Sequence, residues 1–146
     1  MSALALGLDL GTSGLRLALL GPGGPCGESA IPYPGAFEDP SSWREGMIAL
    51  CRSLPRSDRE RVGAIAVDGT SGTLLLCRPD GSAPSPSFAR ALPYSLACPE
   101  HAQSAARLAG GEGPAASASG SLARALTLLE RAREEGLGGP LWLRHQ

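Results

Sequence analysis

A chain of 146 residues is the size of one ordinary domain and long enough to bury a core without a disulfide or metal staple. With 42% hydrophobic and 18% charged residues it is not a disordered tail. Thirteen cations against 14 anions leave a net charge of −1, so nothing electrostatic argues for nucleic acid or an anionic membrane as partner.

In chain order, Leu4 to Leu10 alternates large apolar residues with Ala, Gly and Asp, the period of a strand. A Gly/Thr/Ser turn leads to a second strand over Leu15 to Leu20, and a third extended piece is expected around Ser29 to Tyr33. Ser42-Trp-Arg-Glu45 fits a capping box for a helix running to about Ser53, stopped by Pro55. Val62 to Val67 is a short apolar run, expected to be a buried central strand. Another Gly/Thr/Ser turn precedes a strand at Leu74 to Cys77, which Pro79-Asp-Gly81 closes.

Pro99-Glu100 opens a helix to about Leu108. After a loop from Gly110 to Ser117, Ser119 or Ser121 caps a last helix carrying Leu122, Ala125, Leu126 and Leu129. The order β-β-β-α-β-β-α-α is mixed α/β. Residues 4–20 are expected to form a hairpin in one sheet with 62–67 and 73–77, placing Asp9 and Asp68 along one edge of a cleft.

The start, Met1 to Asp9, has no basic leader, and no apolar run approaches the ~20 residues of a membrane span. Cys26, Cys51, Cys77 and Cys98 are dispersed, without metal-ligand spacing, and read as free thiols in a reducing compartment. A cytoplasmic location is expected.

Two turns carry the chemistry. In Asp9-Leu-Gly-Thr-Ser-Gly-Leu-Arg16, Gly11 and Gly14 permit close backbone approach, and Thr12 and Ser13 offer hydroxyl and N–H donors to an anion. Asp9 stands beside the turn, suited to orient a water on Mg²⁺, and Arg16 adds positive charge. The sequence has no lysine, so this is not the lysine-bearing phosphate loop. In Val67-Asp-Gly-Thr-Ser-Gly-Thr73, small polar side chains and backbone donors suit a polyhydroxylated ligand. Either turn alone also reads as a Gly-rich hairpin with an aspartate as its polar end.

In this order and separation the turns resemble the N-terminal lobe of the FGGY carbohydrate kinases, of the actin-like ATPase and sugar-kinase superfamily. GLDLGTSGLRLALL is similar to the family's first phosphate motif. AIAVDGTSGTLLLCRPDG, continuing to Tyr94, is similar to the next block, and ASASGSLARALTLLERAR to the helix that follows. The resemblance spans residues 4 to about 143 and leans toward the xylulokinase and ribulokinase branch. It implies a ribonuclease H-like lobe: a mixed sheet with an N-terminal β-hairpin and flanking helices, here incomplete. Residues 1–146 would be the N-terminal portion of the sugar-binding lobe, without the rest of that lobe or the C-terminal ATP lobe.

The resemblance implies transfer of the ATP γ-phosphoryl group to a sugar hydroxyl, a ketopentose such as xylulose or ribulose. Asp9, Gly11, Thr12, Ser13 and Arg16 would serve the ATP phosphates, with Asp9 holding Mg²⁺ through water. Asp68, Gly69, Thr70, Ser71 and Tyr94 would serve the sugar. The partners implied are sugar, ATP and the C-terminal lobe, with a homodimer left open. Tyr94-Ser95-Leu96 departs from the family's aromatic-Asn-Asp element, removing an acidic group from the sugar side. No aspartate follows Asp80, so the base Asp of a later Gly-x-Asp motif is expected beyond Gln146 and no catalytic residue is assigned within the chain. Glu130, Glu134 and Glu135 read as a solvated helix face, and His101 as a surface residue. This piece alone is therefore expected to be inactive. A non-enzymatic sugar-binding or interaction module, a vestigial gene product, and another branch of the actin-like superfamily are the alternatives. DGTSGT disfavours the last.

Overall fold

The computed structural model describes residues 3–146; Met1 and Ser2, the start of the N-terminal stretch considered above, lie outside the described residues. The chain divides into two compact units, residues 1–70 and 71–146.

The first unit is a four-stranded sheet in the order β3-β2-β1-β4, formed by β1 (Leu4–Gly11), β2 (Gly14–Gly21), β3 (Gly24–Ile31) and β4 (Val62–Gly69). β1 and β2 are antiparallel, as are β2 and β3, whereas β4 runs parallel to β1. A parallel neighbour requires a crossover, and the helices α1 (Pro40–Ser53) and α2 (Arg56–Arg59) supply it. The period-two pattern decides which face is covered. Leu4, Leu6, Leu8, Leu10, Leu15, Leu17 and Leu19 are all buried, and Trp43 and Leu50 of α1 are buried with them. α1 packs on β2 and β3, and its closest approach is at Gly46, where a β-carbon would fall 2.6 Å from Leu15 Cδ1.

Several expectations are corrected here. The third strand begins at Gly24 and ends at Ile31, earlier than its apolar end suggested. Asp39, not Ser42, caps α1, its carboxylate accepting from the Ser41 N–H at 2.9 Å. The Ser42 hydroxyl instead accepts from the Gly35 N–H, at 3.0 Å. β4 is an exposed edge strand rather than a buried central one: Ile65 and Val67 are 62% and 60% exposed. Their register partners, Leu6 and Leu8, are buried. The difference arises because α1 covers β2 and β3.

The second unit pairs β5 (Leu74–Cys77) with β6 (Trp142–His145) in an antiparallel ribbon. Helices α3 (Ala102–Ala109) and α4 (Ser121–Glu134) and 3₁₀ turns at Pro86–Phe88, Pro99–His101 and Pro114–Ala116 complete it. Leu74, Leu76, Phe88, Leu92, Ala125, Leu128 and Ala132 form its core. Thus β5 does not join the N-terminal hairpin's sheet, and DGTSGT is not a hairpin turn. Near the end of the chain, Trp142 to His145 form β6 because they find a strand partner in β5.

Two further expectations change in this unit. His101 is largely buried, its side chain 13% exposed, with Nε2 standing 3.2 Å from Glu130 Oε2. Glu135, expected to be simply solvated, accepts from the Ser85 hydroxyl at 2.6 Å and from the Ser87 hydroxyl. These bonds hold its pKa below the ordinary glutamate value. Because the folded-state pKa is lowered, the stabilisation is present above the ordinary value and lost as pH falls through the folded one. Replacing Ser85 and Ser87 by alanine should therefore return the Glu135 midpoint, followed by NMR titration, to the ordinary range. The melting difference from wild type should close as the medium is acidified.

Candidate functional site

The candidate site of the first unit follows from sheet register. Asp9 is the partner of Arg16 on β2 and of Asp68 on β4. Neighbouring strands lie about 4.8 Å apart, and paired residues project to the same face. The two aspartates and Arg16 therefore stand in a row on the face opposite the leucines. The expected placement of Asp9 and Asp68 on one side is what the sheet provides, though through parallel pairing.

Arg16 Nη1 donates to Asp9 Oδ2 at 2.7 Å, an ion pair with both side chains well exposed. Asp68 Oδ1 accepts from the Gly69 N–H at 2.9 Å, and the Thr70 hydroxyl donates to the Leu10 carbonyl at 3.2 Å. That bond ties the end of β4 to the end of β1, so Thr70 joins the two strand ends while retaining an acceptor lone pair. Thr12 and Ser13 are exposed at the β1–β2 turn. Tyr33, which the sequence reading did not single out, donates its hydroxyl to the Gly11 carbonyl at 2.8 Å and packs edge-on against Phe37. The signal available was an aromatic residue just past the third strand, too common to be diagnostic.

The same face forms a shallow concavity of about 650 Å³ lined by Asp9, Arg16, Glu28, Ala66 and Asp68 among others. Gly7, Ala18 and Ala30 leave it open because they project little or no side chain. Its charged groups are three carboxylates and one guanidinium, with Ser29 beside them. Oxygen donors of this kind suit a hard divalent cation held through water, since such ions keep part of their hydration shell. Among the described residues there is no cluster of three or more His, Cys, Asp or Glu able to hold a metal directly.

Ser71 and Tyr94, also assigned to a sugar, belong to the second unit, where they line one cavity of about 620 Å³. The Tyr94 N–H donates to the hydroxyl of the fully buried Thr73 at 3.2 Å, and Leu74 and Leu92 exchange backbone hydrogen bonds. Tyr94 is thereby fixed at its backbone while its side chain remains 44% exposed. A second residue missed from sequence lies in this wall. Arg124 on α4 is 2% exposed and donates to the carbonyls of Gly72, Leu96 and Ser119 at 2.8, 2.8 and 2.9 Å. An arginine between alanines in a helix reads as an exposed charge, and nothing in its spacing announces burial.

No family model matches the chain. Solved structures do. A xyloylose kinase from Brucella ovis superposes with a TM-score of 0.68 at 20% identity, over 91% of this chain and 30% of that one. Plasmodium falciparum glycerol kinase with ADP gives 0.65 at 10% identity, over 99% and 32%. Xylulose kinase from Bifidobacterium adolescentis gives 0.55 at 16% identity, over 75% and 21%. The chain thus has the fold of part of these sugar kinases, a mixed sheet with flanking helices, and spans about a third of their length or less. No helix among the described residues is long and apolar enough to cross a membrane.

Proposed function

We propose that this chain is the N-terminal part of the sugar-binding lobe of an FGGY carbohydrate kinase that transfers the γ-phosphoryl group of ATP to a sugar hydroxyl. The observation that carries the reading is the row Asp68–Asp9–Arg16, set beside the exposed Thr12–Ser13 turn in a chain folded like part of known sugar kinases. Phosphoryl transfer asks the protein chiefly for positioning and charge neutralisation. Asp9 would hold the water shell of Mg²⁺, which supplies charge neutralisation at the phosphates. Gly11, Thr12 and Ser13 would present backbone and hydroxyl donors, and Arg16 would restrain the Asp9 carboxylate through their ion pair. Asp68, Gly69, Thr70, Ser71 and Tyr94 would serve the sugar, with xylulose or ribulose as the acceptor. The location would be cytoplasmic. No base is assigned within these residues, so the 146-residue chain alone should not phosphorylate pentuloses in a coupled ATP assay.

The test is calorimetric titration of the chain with D-xylulose, D-ribulose and Mg²⁺-tripolyphosphate. Asp9→Ala should abolish the Mg²⁺-dependent part of tripolyphosphate binding and leave sugar binding intact. Thr70→Val should weaken sugar binding by roughly 2–10-fold, the range of one lost hydrogen bond. Loss of sugar binding in a folded Asp9→Ala protein would overturn this division of labour. A non-enzymatic sugar-binding module is favoured by the lack of an assigned base among these residues, with no aspartate after Asp80, and it predicts sugar binding without any response to Mg²⁺-tripolyphosphate.

A further inference from the structure

α4 breaks the charge rule for helix starts. The N-terminus of a helix carries about +0.5 of an elementary charge and favours anions or an oxygen cap. Yet α4 has Gly120 at the cap position with no side-chain cap, and no acidic residue in its first turn. Directly after that turn stands Arg124, a buried cation at the end of the helix that already repels it.

The electrostatics of that guanidinium are incomplete. Nε and Nη1 are occupied by the carbonyls of Gly72, Leu96 and Ser119. Nη2 has no hydrogen-bond partner and no carboxylate stands within ion-pair distance, among the described residues. Carbonyl dipoles satisfy N–H groups but leave the net charge uncompensated. Burial pulls the Arg124 pKa below the ordinary arginine value, the Cys98 thiol acting in the opposite direction.

Arg124 lines the cavity of the second unit. Gly72 adopts φ +85°, and a β-carbon there would fall 2.8 Å from Arg124 Nη2 and 3.2 Å from the Ser121 hydroxyl. A side chain at position 72 would thus close the space onto which Nη2 and Ser121 open. The cavity is lined also by Ser71, Ser119, Tyr94 and His145, and by no acidic side chain. Donors and positive charge with no carboxylate select an anion.

We propose that this cavity binds a compact oxyanion, a carboxylate or phosphate group on a small polar molecule, through Arg124 Nη2, the Ser121 hydroxyl and the free N–H groups at the start of α4. The kinase reading already gives Ser71 and Tyr94 of this cavity to the sugar; the proposal deepens that reading by adding an oxyanion subsite, and Arg124 and Ser121 carry it on their own observations. A charge-assisted hydrogen bond from Nη2 to such a group is of the strong class. The hydroxyls of Ser71 and Tyr94 would meet the remainder of the molecule.

The experiment is calorimetric titration of the full chain at low ionic strength with inorganic phosphate, D-xylonate and the neutral polyol xylitol. Saturable binding of phosphate or xylonate, or of both, is expected at up to millimolar concentration, with xylitol much weaker. Preference between the two separates phosphate from carboxylate ligands. Ser121→Ala should weaken the bound anion roughly 2–10-fold, and Arg124→Lys, which keeps the charge but loses the Nη2 donors, roughly 10-fold or more. Absence of saturable binding of either anion to the wild-type chain overturns the proposal. So does anion binding that both variants leave unchanged. If Arg124→Lys does not fold, the wild-type and Ser121→Ala titrations decide. Equal binding of xylitol and xylonate would remove the oxyanion site while leaving the sugar reading standing, whereas phosphate binding with no response to D-xylulose would do the reverse.

Discussion

Valine at Gly46 is expected to destabilise the first unit by about 3 kcal/mol, the upper part of the range for overpacking a tight interface. The reason is local. A β-carbon at Gly46 meets Leu15 Cδ1 at 2.6 Å and Pro34 Cδ at 3.3 Å. Leu15 is 1% exposed and has nowhere to retreat. The informative comparison is Gly46→Ala. Alanine improves helix propensity by about 1 kcal/mol over glycine, so an exposed glycine in α1 would become more stable on substitution. Here the clash with Leu15 should outweigh that gain and the variant should lose stability in urea titrations. A more stable Gly46→Ala protein would show that α1 does not depend on this close approach.

A loss at least as large is expected on replacing Arg124 by methionine, which keeps much of the stem and removes the guanidinium. Three carbonyls, from Gly72, Leu96 and Ser119, then lose their donor. A buried acceptor left unsatisfied costs about 1–3 kcal/mol, and these acceptors are buried or partly so, giving about 4 kcal/mol in total. The effect reaches beyond α4, because the three carbonyls lie on separate segments that meet at its start. Hydrogen exchange should therefore show the segments around Gly72, Leu96 and Ser119 loosening together. Loosening confined to α4 would mean that the arginine anchors its own helix and nothing else. Since domains are stable by only about 5–15 kcal/mol, either substitution uses a large share of the margin.

The sequence by itself determined the elements whose signal is local. Alternation in Leu4 to Leu10 and Leu15 to Leu19 specified both strands and the face they bury, because a one-residue slip would expose every buried leucine. The Gly/Thr/Ser turns identified Asp9 and Asp68 as polar ends of strands, and turn chemistry placed the break after Cys77. The exposed side chains of the row, Asp9 and Arg16, were legible for the same reason: they interrupt apolar runs.

Tertiary structure alone decided how those pieces meet. Val62 to Val67 is equally consistent with a central or an edge strand, since its apolar run is the same in both. Only the placement of α1 over β2 and β3 makes it an exposed edge. Strand partnership for Leu74 to Cys77 was equally open. Its partner comes from residues 142–145, more than sixty positions away, and a four-residue strand carries no record of so distant a mate. The parallel register that sets Asp9 beside Asp68 required the crossover through α1 and α2. Arg124 was not singled out, and His101 was read as a surface residue, for one common reason. Charge in a sequence predicts exposure on average, and burial of a particular charge depends on carbonyls and carboxylates that folding brings from elsewhere in the chain.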